Sequence, residues 1–311
     1  MRRRMVLLTG GVAALVAALV TGGTAVSEAA VTVQGPVAGG APYIYPATAG
    51  RDPVAVMQQT GVRAFTLAFI LARTRTECTP TWEGQPLTSA AHRNRINAIR
   101  GAGGDVVVSF GGWSGNKLGN ACANPTALAG AYQQVIDAYR LKVIDIDLEA
   151  GEVSQSRKVL QALQITKRRN PAVQTIMTLG TGQRGLEGDE AGIPGQAVAL
   201  GAPNPVDVWT IMPFNFGGNG KDMGQLSVQA SEGLHQQLKT AYRTMTDAQI
   251  YAMQGISSMN NRTDVGENVT VAHFRTMLRY CTDKRLARFT FWELNRDPTL
   301  AFTKVIGEFR G

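Results

Sequence analysis

KVIDIDLEAG, Lys142 to Gly151, is the stretch whose reading decides the fold. Asp145, Asp147 and Glu149 alternate with Ile144, Ile146 and Leu148, and a period of two predicts a β-strand with three carboxyls on one face. A strand between helix-forming segments is normally covered on both sides and nearly all apolar. Three acids on such a strand break that rule. Either this is a solvated edge strand with a polar face, or the acids converge on a site.

Working outward, strand-like and helix-like segments alternate at intervals of roughly 30 residues, the spacing of βα units. Strands are expected at 42–47, 63–71, 105–110, 142–149, 173–179, 206–215, 250–256 and 288–294, and amphipathic helices at 90–102, 125–139, 155–169, 228–245, 271–286 and 299–309. Eight such units make a single (β/α)8 TIM barrel, an α/β fold that takes about 250 residues as one domain. Glycine-rich loops follow the third, fifth and sixth strands: GGWSGNKLG, GTGQRGLEGDEAG and GGNGKDMG. They fall at the C-terminal ends of the strands, the face on which barrels build their sites.

The chain has 311 residues and a formal charge of +8. It opens with Arg2, Arg3 and Arg4, an apolar run from Met5 to Val20 and small residues around Ala25, Ala29 and Ala30, which reads as a secretory signal over residues 1–30. The mature domain is then 31–311, secreted and extracellular. Removing the signal takes three arginines and Glu28, leaving a modestly basic chain whose charges are scattered over helices rather than interleaved with aromatics. That pattern argues against nucleic acid as a partner. No later apolar stretch is long enough to span a membrane, so no stable membrane association is expected, and a monomer is expected.

His92, His235 and His273 are far apart, and Cys78, Cys122 and Cys281 form no C-x-x-C pair, so neither a metal nor another cofactor is expected. In an exported chain Cys78 and Cys122, in loops after adjacent strands, are expected to form a disulfide, with Cys281 a buried thiol on a helix.

Along the fourth strand, residues two apart are separated by roughly 6.6 Å, which carries the acids from Asp145 inside the barrel, through Asp147, to Glu149 at the mouth. Packed carboxyls repel, so at least one keeps its proton at neutral pH. Glu149 is the natural proton donor.

The same residues carry a resemblance. IDIDLE, Ile144 to Glu149, is similar to the end of the D-x-x-D-x-D-x-E signature of glycoside hydrolase family 18, the chitinase family. SFGGWSG, Ser109 to Gly115, resembles its S-x-G-G motif, IMPFNFG, Ile211 to Gly217, its sixth-strand motif, and FWELNRD, Phe291 to Asp297, its eighth-strand segment. The resemblance implies a retaining mechanism in which the substrate's 2-acetamido oxygen attacks C1, giving an oxazolinium intermediate. It implies catalytic roles for three acids: Glu149 as acid and then base, Asp147 orienting the acetamido group, and Asp145 supporting Asp147. It implies chitin or chito-oligosaccharide as substrate, with Trp292 as the floor beneath the sugar. Met212, Asn215 and Phe216 of the sixth-strand motif, Phe69 at the end of the second strand and Trp113 after Gly111-Gly112 are the further substrate-binding candidates. Trp209 reads as core and Trp82 as loop packing.

The chain also departs from the family pattern. Lys142 occupies the first acidic position of the signature, Asn215 stands where many members have aspartate, and Phe214 and Phe216 where a tyrosine is common. Two alternatives therefore stand beside a chitinase: a chitin-binding protein with little turnover, and an endo-β-N-acetylglucosaminidase.

Overall fold

Parallel strands too short to bury their own edges close on one another in chain order. β1 (Tyr43–Ile44), β2 (Ala64–Ala72), β3 (Asp105–Gly111), β4 (Val143–Leu148), β5 (Gln174–Gly180), β6 (Val208–Met212), β7 (Gln254–Met259) and β8 (Arg288–Trp292) pair successively, each with the next. The computed structural model describes residues 39–45 and 50–311, and the signal expected over residues 1–30 lies outside them. The seam between β8 and β1 is drawn together by Phe289 N–H donating to the Gly39 carbonyl (3.2 Å) and Thr290 Oγ1 to the Ala41 carbonyl (2.6 Å). The result is a nearly closed (β/α)8 barrel of parallel strands with helices on its outside.

Alternation along β4 explains how one strand serves two environments. Ile144, Ile146 and Leu148 join the large outer core, where they meet helices such as Pro125–Tyr139 and Ser156–Arg169. The other face begins with Val143, which packs with Ala41, Ala64, Val107, Ile176, Val208 and Ala287 into an apolar plug. Asp145 and Asp147 follow on that same inward face, and Glu149 immediately after the strand. The barrel interior thus changes from apolar at its base to acidic at its mouth.

Local signals account for where the helices start. Asn124 accepts from Ala127 N–H at 2.9 Å ahead of Pro125, and Asp222 accepts from Gly224 and Gln225 N–H ahead of helix Met223–Ala241. In Ser156–Arg169 the buried Val159, Leu160, Ala162 and Leu163 face the barrel, and Lys167, Arg168 and Arg169 occupy the negative end of the helix dipole.

Several strand boundaries differ from expectation: the first strand is only Tyr43–Ile44 and the last ends at Trp292 rather than Leu294, and two further shifts have clear local causes. Residues 250–251, expected to open β7, end a short helix, Asp247–Tyr251, because Thr246 and Gln249 form a reciprocal capping box. β6 stops at Met212 rather than Asn215, since Pro213 has no N–H for the ladder and Asn215 adopts φ +55°. A three-residue strand, Pro80–Trp82, runs antiparallel to β2, and a small hairpin pairs Asn261–Arg262 with Asn268–Val269.

Cys78 and Cys122 are joined in a disulfide, and Cys281 is a buried thiol. Trp209 is fully buried, and Trp82 is buried against His92 with its indole N–H on Tyr139 Oη at 2.7 Å. No helix among the described residues is long and apolar enough to cross a membrane.

Candidate active site

Three hydroxyls from three other strands converge on Asp145, which has no exposed surface. Tyr43 Oη (2.7 Å) and Ser109 Oγ (2.6 Å) donate to its Oδ2, and Thr178 Oγ1 (2.7 Å) to its Oδ1. The pairing of β3 with β4 sets Ser109 directly opposite Asp145. Tyr43 arrives from β1 across the barrel. Burial and the neighbouring acids keep its phenol protonated far above the usual range, so it remains a donor.

One layer higher, Asp147 is buried and its Oδ1 has no hydrogen-bond partner. Burial, reinforced by Glu149 and Asp145, pushes its carboxyl well above the carboxylate range. Its backbone carbonyl accepts from Gly112 N–H at 2.8 Å. That close approach requires glycine next door: a Cβ on Gly111, at φ +102°, would lie 2.2 Å from the same carbonyl oxygen.

Glu149 sits half-buried at the mouth. Burial raises its pKa to about 7, with Lys117 pulling it down and Asp264 pushing it up. A carboxyl poised near neutrality can give and take a proton, which a general acid and base must do.

The sequence reading missed two charged groups beside these acids. Glu152, in the turn of 3-10 helix after β4, is only 2 % exposed. Its Oε1 accepts from Gly119 N–H at 2.7 Å and its Oε2 has no partner. Burial lifts it to about 7. Lys117, 5 % exposed, donates to the carbonyls of Gly111 (3.1 Å), Gly112 and Ser114. Glu152 lies off the period-two face and Lys117 inside a glycine-rich loop, so no strand periodicity points to either.

Among the proposed sugar-contacting residues, Trp292 stacks on Phe69 with ring centroids 5.5 Å apart and planes at 16°, and Tyr43 packs against both at 5.7 and 6.4 Å. These rings form an aromatic wall tied to the acids through the Tyr43 hydroxyl. Asn215 and Phe216 line a cavity of about 650 Å3 beside the ends of β5 and β6, together with Gln183, Arg184, Glu187 and Glu190. Asn215 is itself held by the hairpin loop: its N–H donates to Glu267 Oε2 at 2.6 Å and its Nδ2 to Asp264 Oδ2 at 3.2 Å. Met212 is buried at the end of β6, and Trp113 stands 75 % exposed in the loop after β3. Among the described residues no group of three or more His, Cys, Asp or Glu side chains is arranged to hold a metal ion.

No protein-family model matches the chain. It is 28 % identical over 285 residues to a probable bifunctional chitinase/lysozyme of Escherichia coli, covering 84 % of this chain and 31 % of that protein. It is 27 % identical over 276 residues to endochitinase 11 of Metarhizium anisopliae, covering 81 % and 51 %. It superposes on active domain 2 of the thermostable chitinase of Pyrococcus furiosus, solved as catalytic-site mutants complexed with chito-oligosaccharides. The TM-score is 0.76 at 26 % identity, over 86 % of this chain and 92 % of that one.

The chain is chitinase-like, resembling the chitinases of glycoside hydrolase family 18. The chitinase-like chain spans about a third and about a half of the lengths of the two curated relatives. Lys142, where the family signature has an acid, lies at the N-terminal end of β4, exposed and paired with Asp105 at 3.0 Å. It is therefore at the opposite end of the strand from Glu149.

Proposed function

We propose that the chain is a secreted glycoside hydrolase that cleaves β-1,4-linked N-acetylglucosamine polymers by a retaining, substrate-assisted mechanism, acting as a monomer free of stable membrane association. The observation that carries this reading is the unpartnered Oδ1 of the buried Asp147 one layer beneath Glu149. A buried acceptor without a donor is costly in the empty protein and suits an N–H brought by the substrate. An acetamido N–H is such a group.

In this mechanism the acetamido oxygen of the bound sugar attacks C1 as Glu149 gives its proton to the departing glycosidic oxygen, so the C1–O bond breaks as the internal bond forms. Asp147 accepts from the acetamido N–H and steadies the positive charge of the oxazolinium ring. Asp145, gripped by Tyr43, Ser109 and Thr178, holds Asp147 in line from below. Glu149, now ionised, takes a proton from water, whose oxygen attacks C1 and reopens the ring with net retention. Trp292, backed by Phe69 and Tyr43, offers the sugar an apolar face.

A product profile on soluble chitohexaose with anomer detection tests the reading. The expected result is β-anomeric products from the wild type and none from Glu149→Gln. Alpha products would overturn retention. Binding of chitohexaose without cleavage would favour the sugar-binding alternative, and release of a whole N-glycan from a glycoprotein the endo-β-N-acetylglucosaminidase. Export predicts that protein recovered from the culture medium begins just after Ala29 or Ala30.

A further inference from the structure

Lys117 is a buried ammonium whose bonds go to backbone carbonyls rather than to a carboxylate. Its three acceptors, the carbonyls of Gly111, Gly112 and Ser114, belong to one turn at the end of β3. That turn is clamped onto the acid-bearing strand. Gly112 N–H donates to the Asp147 carbonyl at 2.8 Å, and the position a Gly111 Cβ would occupy is 3.1 Å from Glu152 Oε2. Lys117 also precedes the short helix Leu118–Ala121, whose Gly119 N–H bonds Glu152. It thus stands between the turn that holds Asp147 and the helix that holds Glu152.

A neutral donor could tie a turn to three carbonyls, and burying a charge to do so is expensive. The charge has a use only if the surroundings are negative. They are: Asp147, Glu149 and Glu152 act on Lys117 from β4 and the turn after it, and Glu83 from the turn beyond Pro80–Trp82. Asp145 lies beside Asp147 on the same strand, and facing these groups from other elements are Asp264 of the hairpin loop, which acts on Glu149, Tyr43 on β1, whose hydroxyl bonds Asp145, and, on the flanking helices, Lys158, which acts on Glu152, and Tyr132, on which Glu152 acts. Lys158 is turned to the carbonyls of Gly119 and Cys122 at 2.7 and 3.0 Å. Lys117 acts on each of Asp147, Glu149 and Glu152.

We propose that Lys117 is a positioning residue for the reaction: its ammonium fixes the turn after β3 against Asp147 and supplies the positive field in which Glu149 exchanges its proton. This rests on the hydrolase reading for its role in turnover, but the coupling itself is a property of the free protein. Burial favours the acid form of Glu149. The lysine offsets part of that, leaving a group able to act first as acid and then as base.

The decisive measurement is the titration of Glu149 by carboxyl 13C NMR, its signal identified by loss in Glu149→Gln. In Lys117→Met the midpoint should move upward from about 7, and in Lys117→Arg, which keeps the charge, it should stay near the wild-type position. A folded Lys117→Met with an unmoved midpoint overturns the proposal, as does an equal upward move in Lys117→Arg. Should Lys117→Met not fold, the reciprocal test uses Glu149→Gln: removing that carboxylate must lower the midpoint at which the Lys117 ammonium titrates, followed by 15Nζ NMR. An unchanged ammonium overturns the proposal. Turnover of chitohexaose is scored separately, so a wild type that binds without cleaving would sink the hydrolase reading and leave the coupling standing.

Discussion

Tyr43 donates its hydroxyl to Asp145 Oδ2 at 2.7 Å, joining the first barrel strand to the fourth across 102 residues of sequence. The same ring packs against Trp292 at 5.7 Å. One side chain therefore links the lowest acid to the aromatic wall.

Tyr43→Phe keeps the wall and deletes one of the three hydroxyls on Asp145. A hydrogen bond to a buried carboxyl contributes about 1–3 kcal/mol, so stability in urea should fall by that order. Chitohexaose turnover should fall more than binding, because the loss reaches Asp147 from beneath. Equal losses in both would argue against the supporting role of Asp145.

The pH dependence of kcat/KM follows from Glu149. In the proposed mechanism Glu149 is the general acid, which works only while protonated, and its midpoint lies at about 7. Activity should therefore hold below that point and decline tenfold per pH unit above it. A basic limb starting one unit or more away would show that another group delivers the proton.

Stability should fall as the medium becomes less acidic. Asp147, Glu149 and Glu152 all have proton affinities raised by burial. The unfolded chain therefore releases these protons near pH 4, whereas the folded chain holds them to higher pH, to about 7 for Glu149 and Glu152. Across that window the unfolded state binds fewer protons, so unfolding becomes easier as pH rises. Glu152→Gln removes one ionisation while leaving an acceptor for Gly119 N–H. Relative to wild type it should gain on the order of 3 kcal/mol between pH 4.5 and 8, seen as a flatter plot of Tm against pH.

Reduction of Cys78–Cys122 frees a 44-residue separation. Loop entropy predicts a loss of about 4 kcal/mol. A Cys78→Ser, Cys122→Ser double variant should melt well below the wild type, while Cys281, buried in a helix, should react with a thiol reagent only on unfolding.

Much of the barrel is legible in the linear chain because its signals are local. Alternation over a few residues predicts β4 to within one residue at each end, and helix Pro125–Tyr139 matches its expected bounds because Asn124 and Pro125 mark its start. β7 is less legible, since residues 250–256 are apolar enough for a strand while the Thr246 capping box claims the first of them for a helix. The acid relay is legible too, being one strand read at period two.

By itself the sequence determines that Asp145, Asp147 and Glu149 share a face and that Glu149 is outermost, because the geometry of an extended chain leaves no other arrangement. The tertiary structure alone decides what surrounds them. Tyr43, Ser109, Thr178, Lys117 and Glu152 reach the relay through barrel closure and loop packing, and burial, which no local pattern encodes, is what lifts Glu149 to about 7. Which carboxyl keeps its proton is set by desolvation and by charges that meet only when the barrel closes.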